Sequence, residues 1–200
     1  MIINTNDYIK VYHNCFDKKI LKETIKELQS LKILKNKTEE AISTTHWEPH
    51  FWSDTVTGEK SSRSKKELES HKGIRKHHKY FMDTLHGFIG QYMKDVNNRF
   101  LGGWAGYSQI TYHRYKKGTD MAPHVDHIQT IFDGERKGIP ILSVVGQLNE
   151  NFSGGEFVIE DKSIKMKAGD VLIFPSNFLF SHRVNTITKG TRLSFISWVY

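Results

Sequence analysis

Two helix-periodic stretches in the first half of the chain, then a series of short β-rich segments in the second, predict an α+β fold. The expected core is a double-stranded β-helix, or jelly roll, buttressed by N-terminal helices. Residues 17–34 form the first stretch. Ile20, Leu21, Ile25, Leu28 and Leu31 recur at spacings of three to four, and Asp17 stands where an N-cap is needed. The second stretch spans roughly residues 65–97, with Leu85, Phe88, Ile89, Tyr92, Met93 and Val96 as its apolar stripe. Gly73, Gly87 and Gly90 argue against an unbroken helix there. Residues 35–63 carry no sustained period and read as irregular structure or short strands.

From about residue 104 the period changes. Residues 107–115 alternate, and residues 139–148 form an apolar run bounded by turn formers. The segments FVIE, IKMK, VLIFP, HRVN and RLSFISWVY follow, separated by Gly-Gly, Asp-Lys, Ala-Gly-Asp and Lys-Gly punctuation. Gly154-Gly155 is read as a hairpin turn. There is no internal repeat, so the 200 residues are taken as one domain, with 1–100 as helical support and variable region and 101–200 as the jelly-roll core.

Composition narrows the class. A hydrophobic content of 38% supports a packed core, and one cysteine excludes a disulfide framework or a cysteine-rich zinc site. No basic segment followed by an apolar one opens the chain, and no apolar run approaches the roughly 20 residues of a membrane span. A cytoplasmic location is the expectation. The net charge is +7, with Lys60, Arg63, Lys65, Lys66, Lys72, Arg75, Lys76 and Lys79 in one stretch. Such a stripe suits nucleic acid or an acidic protein surface. Glu67 and Glu69 interrupt it, which favours an ordinary solvated helix face.

The candidate chemistry centres on His124-Val125-Asp126. In a strand, residues i and i+2 share a face, so imidazole and carboxylate can approach one metal together. His182, after the strand-like VLIFP and a short loop, supplies a third ligand. Two histidines and one carboxylate leave open positions on an octahedral metal, the pattern of non-haem Fe(II) oxygenases. The pair alone is weak evidence in a chain with eleven histidines. Arg192 lies ten residues beyond His182 in an alternating segment. Facing a barrel interior it would need an anion, and the distal carboxylate of 2-oxoglutarate would supply one.

These motifs together resemble the prolyl 4-hydroxylase family of Fe(II)- and 2-oxoglutarate-dependent dioxygenases. The segment from Tyr115 through Gly118 to His124 and Asp126 is similar to the family's Tyr-x-x-Gly-x5-His-x-Asp pattern. SGGEFVIE at 153–160, KAGDVLIFPS at 167–176, His182, Arg192 and Trp198 complete it. The resemblance implies a metal site of His124, Asp126 and His182, and the consumption of 2-oxoglutarate and dioxygen, with ascorbate as a further small-molecule cofactor. It implies that Tyr115 and Ser143 approach the co-substrate carboxylate, and that Gln147 takes a position often held by Tyr. Trp198 stands where relatives place a Trp beside the substrate proline; read from the residues alone it serves equally well as core filler. Arg136, in the polar connection 127–138, is the other candidate for substrate contact.

The implied reaction is hydroxylation of a prolyl residue in a peptide or protein, with 2-oxoglutarate converted to succinate. Two alternatives stay open. One is oxidative demethylation of nucleic acid, which suits the basic stripe. Against it, repair-demethylase relatives carry a second Arg six residues after the first, where this chain has Trp198. The other is a jelly-roll binding module without turnover.

Overall fold

The structure, a computed structural model, describes residues 4–30, 51–52, 72–96, 104–108, 110–127 and 140–200. Its strands are β1 (Lys10–Tyr12), β2 (Phe51–Trp52), β3 (Thr111–Lys116), β4 (Met121–His124), β5 (Leu142–Gln147) and β6 (Phe152–Gly154). β7 (Phe157–Ile159), β8 (Lys162–Ile164), β9 (Val171–Pro175), β10 (His182–Val184) and β11 (Ile187–Val199) follow. Helix α1 covers Lys18–Ser30 and helix α2 covers Lys72–Asp95.

Two antiparallel sheets face each other, as expected for a jelly roll. The larger has the order β1-β9-β5-β11-β3-β2, with β6 also paired to β11, and the smaller has the order β4-β10-β7-β8. Strand alternation sorts the larger sheet's side chains into two layers. Val171 and Ile173 of β9, Leu142 and Val144 of β5, Tyr112 of β3, and Leu193, Phe195 and Val199 of β11 face the helices. Leu172, Phe174, Val145 and Tyr115 face the smaller sheet, where Phe157, Ile159 and Val184 meet them.

α1 starts as expected. Asp17 Oδ1 accepts from the backbone N–H groups of Lys19 at 2.9 Å and Ile20 at 3.0 Å, the hydrogen bonds of an N-cap. α2 is unbroken across Gly87 and Gly90, contrary to the expectation from composition. Phe81, Leu85, Ile89 and Tyr92 are fully buried along one stripe. Each contributes about 1.5–3 kcal/mol of burial, more than the roughly 1 kcal/mol that a helical glycine costs. Phe16 joins the layers, with its ring 4.6 Å from Phe81 and 5.8 Å from Phe195.

The basic stripe lies largely outside the described residues. At its end, Lys79 Nζ meets Asp83 Oδ2 at 2.5 Å in an exposed pair one turn apart, as on a solvated helix face. Among the described residues, no helix is long and apolar enough to cross a membrane.

Gly146 of β5 is opposite Phe195 of β11, and a Cβ there would lie 2.0 Å from the phenyl ring. The ring covers the strand at the one position that has no side chain. Gly146→Ala should lower stability by about 1–3 kcal/mol through overpacking, measured as a reduced midpoint in denaturant unfolding at unchanged slope.

Candidate active site

A cavity of about 360 Å³ opens between the sheets, walled by β3, β4, β5, β10 and β11. It holds His124, Asp126 and His182, and their candidate ligand atoms all lie within 4.8 Å of one another. The bases of two strands bring the histidines together, since His182 of β10 is paired in register with His124 of β4. Asp126 follows two residues after His124. Its Oδ1 lies 3.6 Å from His124 Nε2 and its Oδ2 lies 3.6 Å from His182 Nε2.

Both imidazoles are held in the same tautomer. His124 Nδ1 lies 2.9 Å from the Ala122 carbonyl and His182 Nδ1 lies 3.1 Å from the Phe180 carbonyl. A carbonyl only accepts, so each Nδ1 carries a hydrogen and each Nε2, on the Asp126 side, is the nitrogen left for a metal. His182 is also walled by aromatic rings, with Phe157 stacked at 5.4 Å and Phe174 edge-on at 5.0 Å.

Electrostatics favour a ligating state. Burial pushes the Asp126 carboxyl upward, but His124, His182 and the Ser143 hydroxyl more than reverse this, and its pKa falls to about 2. Burial holds the His182 pKa below the ordinary imidazole value. Burial also pulls His124 down, but Asp126 and the Ala122 carbonyl outweigh it and leave the pKa raised.

Arg192 lies in the same cavity, 2% exposed. It is paired in register with Tyr115, and its guanidinium sits 5.4 Å from the centre of that ring. Its Nη1 donates to Ser194 Oγ at 3.1 Å, while its Nη2 is buried with no hydrogen-bond partner. Such a cation, with a donor unspent, is built for an anionic ligand. Burial pushes the Tyr115 hydroxyl up to about 12, with Arg192 opposing, so it stays protonated and able to donate.

Ser143 also lines the cavity, but its Oγ donates to Asp126 Oδ2 at 2.5 Å. Trp198 is half-buried on the cavity wall, on the same β11 face as Arg192. The structure does not bring Gln147 to this group. Its side-chain amide donates to the backbone carbonyls of Asn149 at 2.7 Å and Leu193 at 3.4 Å. Arg136, with nearly all of the connection 127–138, lies outside the described residues. Two polar cavity residues beside the predicted ones are not among the sequence candidates. Ser194 braces Arg192, and His113 Nδ1 lies 3.1 Å from the Tyr115 hydroxyl. Each stands two positions from a predicted residue on the same strand, which is the signal that would have found them.

Residues 110–200 match the family model described as the 2OG-Fe(II) oxygenase superfamily. That match takes in a little under half of the chain. A PKHD-type hydroxylase of Idiomarina loihiensis is 38% identical over 96 residues, covering 46% of this chain and 42% of that protein. A PKHD-type hydroxylase of a Psychrobacter species is 41% identical over 92 residues, covering 42% and 35%. The chain thus spans less than half the length of these curated relatives. Among solved structures, a Pseudomonas putida prolyl-4-hydroxylase superposes with a TM-score of 0.59 at 16% identity, covering 96% of this chain and 91% of that one. A Trichoplax adhaerens prolyl hydroxylase, in complex with a hypoxia inducible factor oxygen degradation domain peptide fragment, gives 0.61 at 17%, covering 97% and 84%. At these identities the likeness is one of fold.

Fe(II) and 2-oxoglutarate are the metal and co-substrate of a 2-oxoglutarate-dependent dioxygenase. The residues present fit both: three converging neutral or anionic donors for the metal, and a buried guanidinium with an unspent donor for a carboxylate. Arg192→Ala should weaken 2-oxoglutarate binding by about 2–5 kcal/mol and leave metal affinity nearly unchanged, as read by calorimetric titration without oxygen. Arg192→Lys should be milder, keeping the charge but losing the fork. Protons compete with the metal for the imidazoles. Metal affinity should therefore fall from about pH 8 to about pH 5. The fall should follow His124, whose pKa is raised, since His182, with its pKa lowered, stays neutral to lower pH.

Proposed function

We propose that this chain is an Fe(II)- and 2-oxoglutarate-dependent hydroxylase of a prolyl residue in a peptide or protein, with 2-oxoglutarate decarboxylated to succinate. Residues 1–100 serve as helical support and variable region and residues 101–200 as the jelly-roll catalytic core. The observation that carries the substrate reading is the place of Trp198. It pairs in register with Ser143, and the Ser143 hydroxyl reaches Asp126. Trp198 therefore stands at the metal end of the cavity, whereas Arg192 stands six residues back along β11 beside Tyr115. An aromatic face at the metal end suits an apolar pyrrolidine ring and its polarised C–H bonds.

Each part of the cavity has a role in this reading. His124, Asp126 and His182 hold the metal. Arg192, braced by Ser194, takes the distal carboxylate, and the protonated Tyr115 hydroxyl donates to the co-substrate from the neighbouring strand. Bound iron with 2-oxoglutarate and dioxygen supplies the oxidising power for an unactivated C–H bond. The two sheets orient the target carbon and exclude water. The relatives named as hydroxylases support a hydroxylation, and the peptide-bound Trichoplax enzyme supports a peptide substrate.

Proline-containing peptides incubated with the iron-loaded protein, 2-oxoglutarate and oxygen should gain the mass of one oxygen atom on proline. Trp198→Ala should lower that turnover by at least about tenfold, the effect of ~1.4 kcal/mol of lost transition-state contact, with 2-oxoglutarate affinity kept. An unfolded Trp198→Ala protein would identify Trp198 as core filler. Oxidation of methylated oligonucleotides with no gain on any proline peptide would sink the prolyl assignment.

A further inference from the structure

Asp126 is held by more than its histidine neighbours. Ser143 Oγ donates to Asp126 Oδ2 at 2.5 Å, and Ser176 Oγ lies 2.8 Å from Ser143 Oγ. Ser143 is 1% exposed and Ser176 is fully buried, so water does not compete for either hydroxyl. The direction of the chain follows from counting protons. A carboxylate only accepts, so the one Ser143 hydrogen goes to Asp126. Ser176 must then be the donor at the Ser176–Ser143 contact.

The backbone holds this arrangement from three sides. The β5–β9 ladder pairs Leu142 with Pro175, and Ser176 N donates to the Ile141 carbonyl at 3.0 Å, which sets the two serines side by side. His127 N donates to the Ser176 carbonyl at 3.1 Å, fixing the chain immediately after Asp126 to the same strand end. β4, which leads into Asp126, belongs to the smaller sheet, whereas β5 and β9 belong to the larger. The hydroxyl pair thus crosses between sheets to reach the carboxylate.

We propose that Ser176 and Ser143 form a buried hydroxyl relay that orients Asp126 for metal binding, Ser143 acting on the carboxylate directly and Ser176 by fixing the Ser143 proton. Both are positioning residues. The relay also commits the Ser143 proton to the metal end, so recognition of the co-substrate's distal carboxylate falls to Arg192 and Tyr115. The proposal rests on the metal assignment of the site and not on the substrate.

The test is anaerobic titration of the metal-free protein with Co(II), following both affinity and the d–d absorption bands, with 2-oxoglutarate affinity measured separately. Groups that orient a metal ligand are each worth about 10–100-fold in affinity. Ser143→Ala should weaken Co(II) binding by that factor and alter the bands. Ser143→Thr, which keeps the hydroxyl, should restore both. Ser176→Ala should give a smaller loss, and adding it to Ser143→Ala should cost nothing more, because Ser176 acts only through Ser143. If Ser143→Ala does not fold, the Ser176→Ala titration decides alone, and unchanged Co(II) affinity overturns the relay. Unchanged Co(II) affinity and bands in Ser143→Ala, with 2-oxoglutarate affinity reduced, would also overturn it and return the hydroxyl to the co-substrate. Failure of the unsubstituted protein to bind Co(II) would instead overturn the metal assignment on which the proposal rests.

Discussion

The register of β10 governs everything at the metal end of the cavity. This strand is only three residues long, yet it pairs with β4 on one side and β7 on the other. His182 is opposite His124 across one ladder and Ile159 across the other. A slip of one residue would turn His182 outward and bring Arg183 into its place. Two features oppose the slip. Val184, on the same face as His182, is buried in the core between the sheets, and the His182 ring is packed against Phe157 and Phe174. The hydrophobic packing that stabilises the sandwich is therefore also what aims the imidazole.

β11 shows the same economy from the opposite sheet. Its alternation sends Leu193, Phe195 and Val199 to the helical layer, and Arg192, Ser194, Ile196 and Trp198 to the cavity. The helices lie on the far side of the sheet from the chemistry, yet they contribute to it. Phe81 and Phe16 pack on Phe195 and hold the strand whose other face carries the arginine. A buried guanidinium with an unspent donor costs stability in the ligand-free protein. A bound carboxylate would remove that cost, so the folded domain is expected to gain stability when the co-substrate occupies the cavity.

Much of this architecture was legible in the sequence because it depends on period. The α1 stripe with its Asp17 cap and the strands β5, β7, β9, β10 and β11 follow from counting residues along one element, whereas β6 is not among the expected segments, β8 runs over Lys162–Ile164 instead of the IKMK segment, and Asp126 lies two residues past the end of β4 instead of within a strand. What depends on partners between elements was harder to read. Gln147 was placed with the co-substrate on the strength of its position, but the carbonyls of Asn149 and Leu193 at the strand end claim its amide. Ser143 was placed beside the carboxylate of 2-oxoglutarate, and the structure gives its proton to Asp126, from a sheet the sequence could not bring near. The glycines of α2 suggested a break because local propensity was weighed without the tertiary packing that overrides it. Arg136 and the connection around it lie outside the described residues.

The distance between Arg192 and Trp198 gives one strand room for the two ligands proposed. Six residues of extended chain span about 20 Å, longer than a small dicarboxylic acid. A molecule anchored on Arg192 and reaching towards the metal does not need the Trp198 end of the wall. The register places Trp198 beside Ser143, and Ser143 beside Asp126. In the proposed reading, the carbon brought to the metal approaches this aromatic surface, which an anion held on Arg192 would leave uncovered. In the same reading the two recognition tasks occupy opposite ends of one strand face, with the metal ligands at the tryptophan end. On that proposal, changes at the tryptophan end would alter which substrate is accepted, and the arginine end would continue to select the co-substrate.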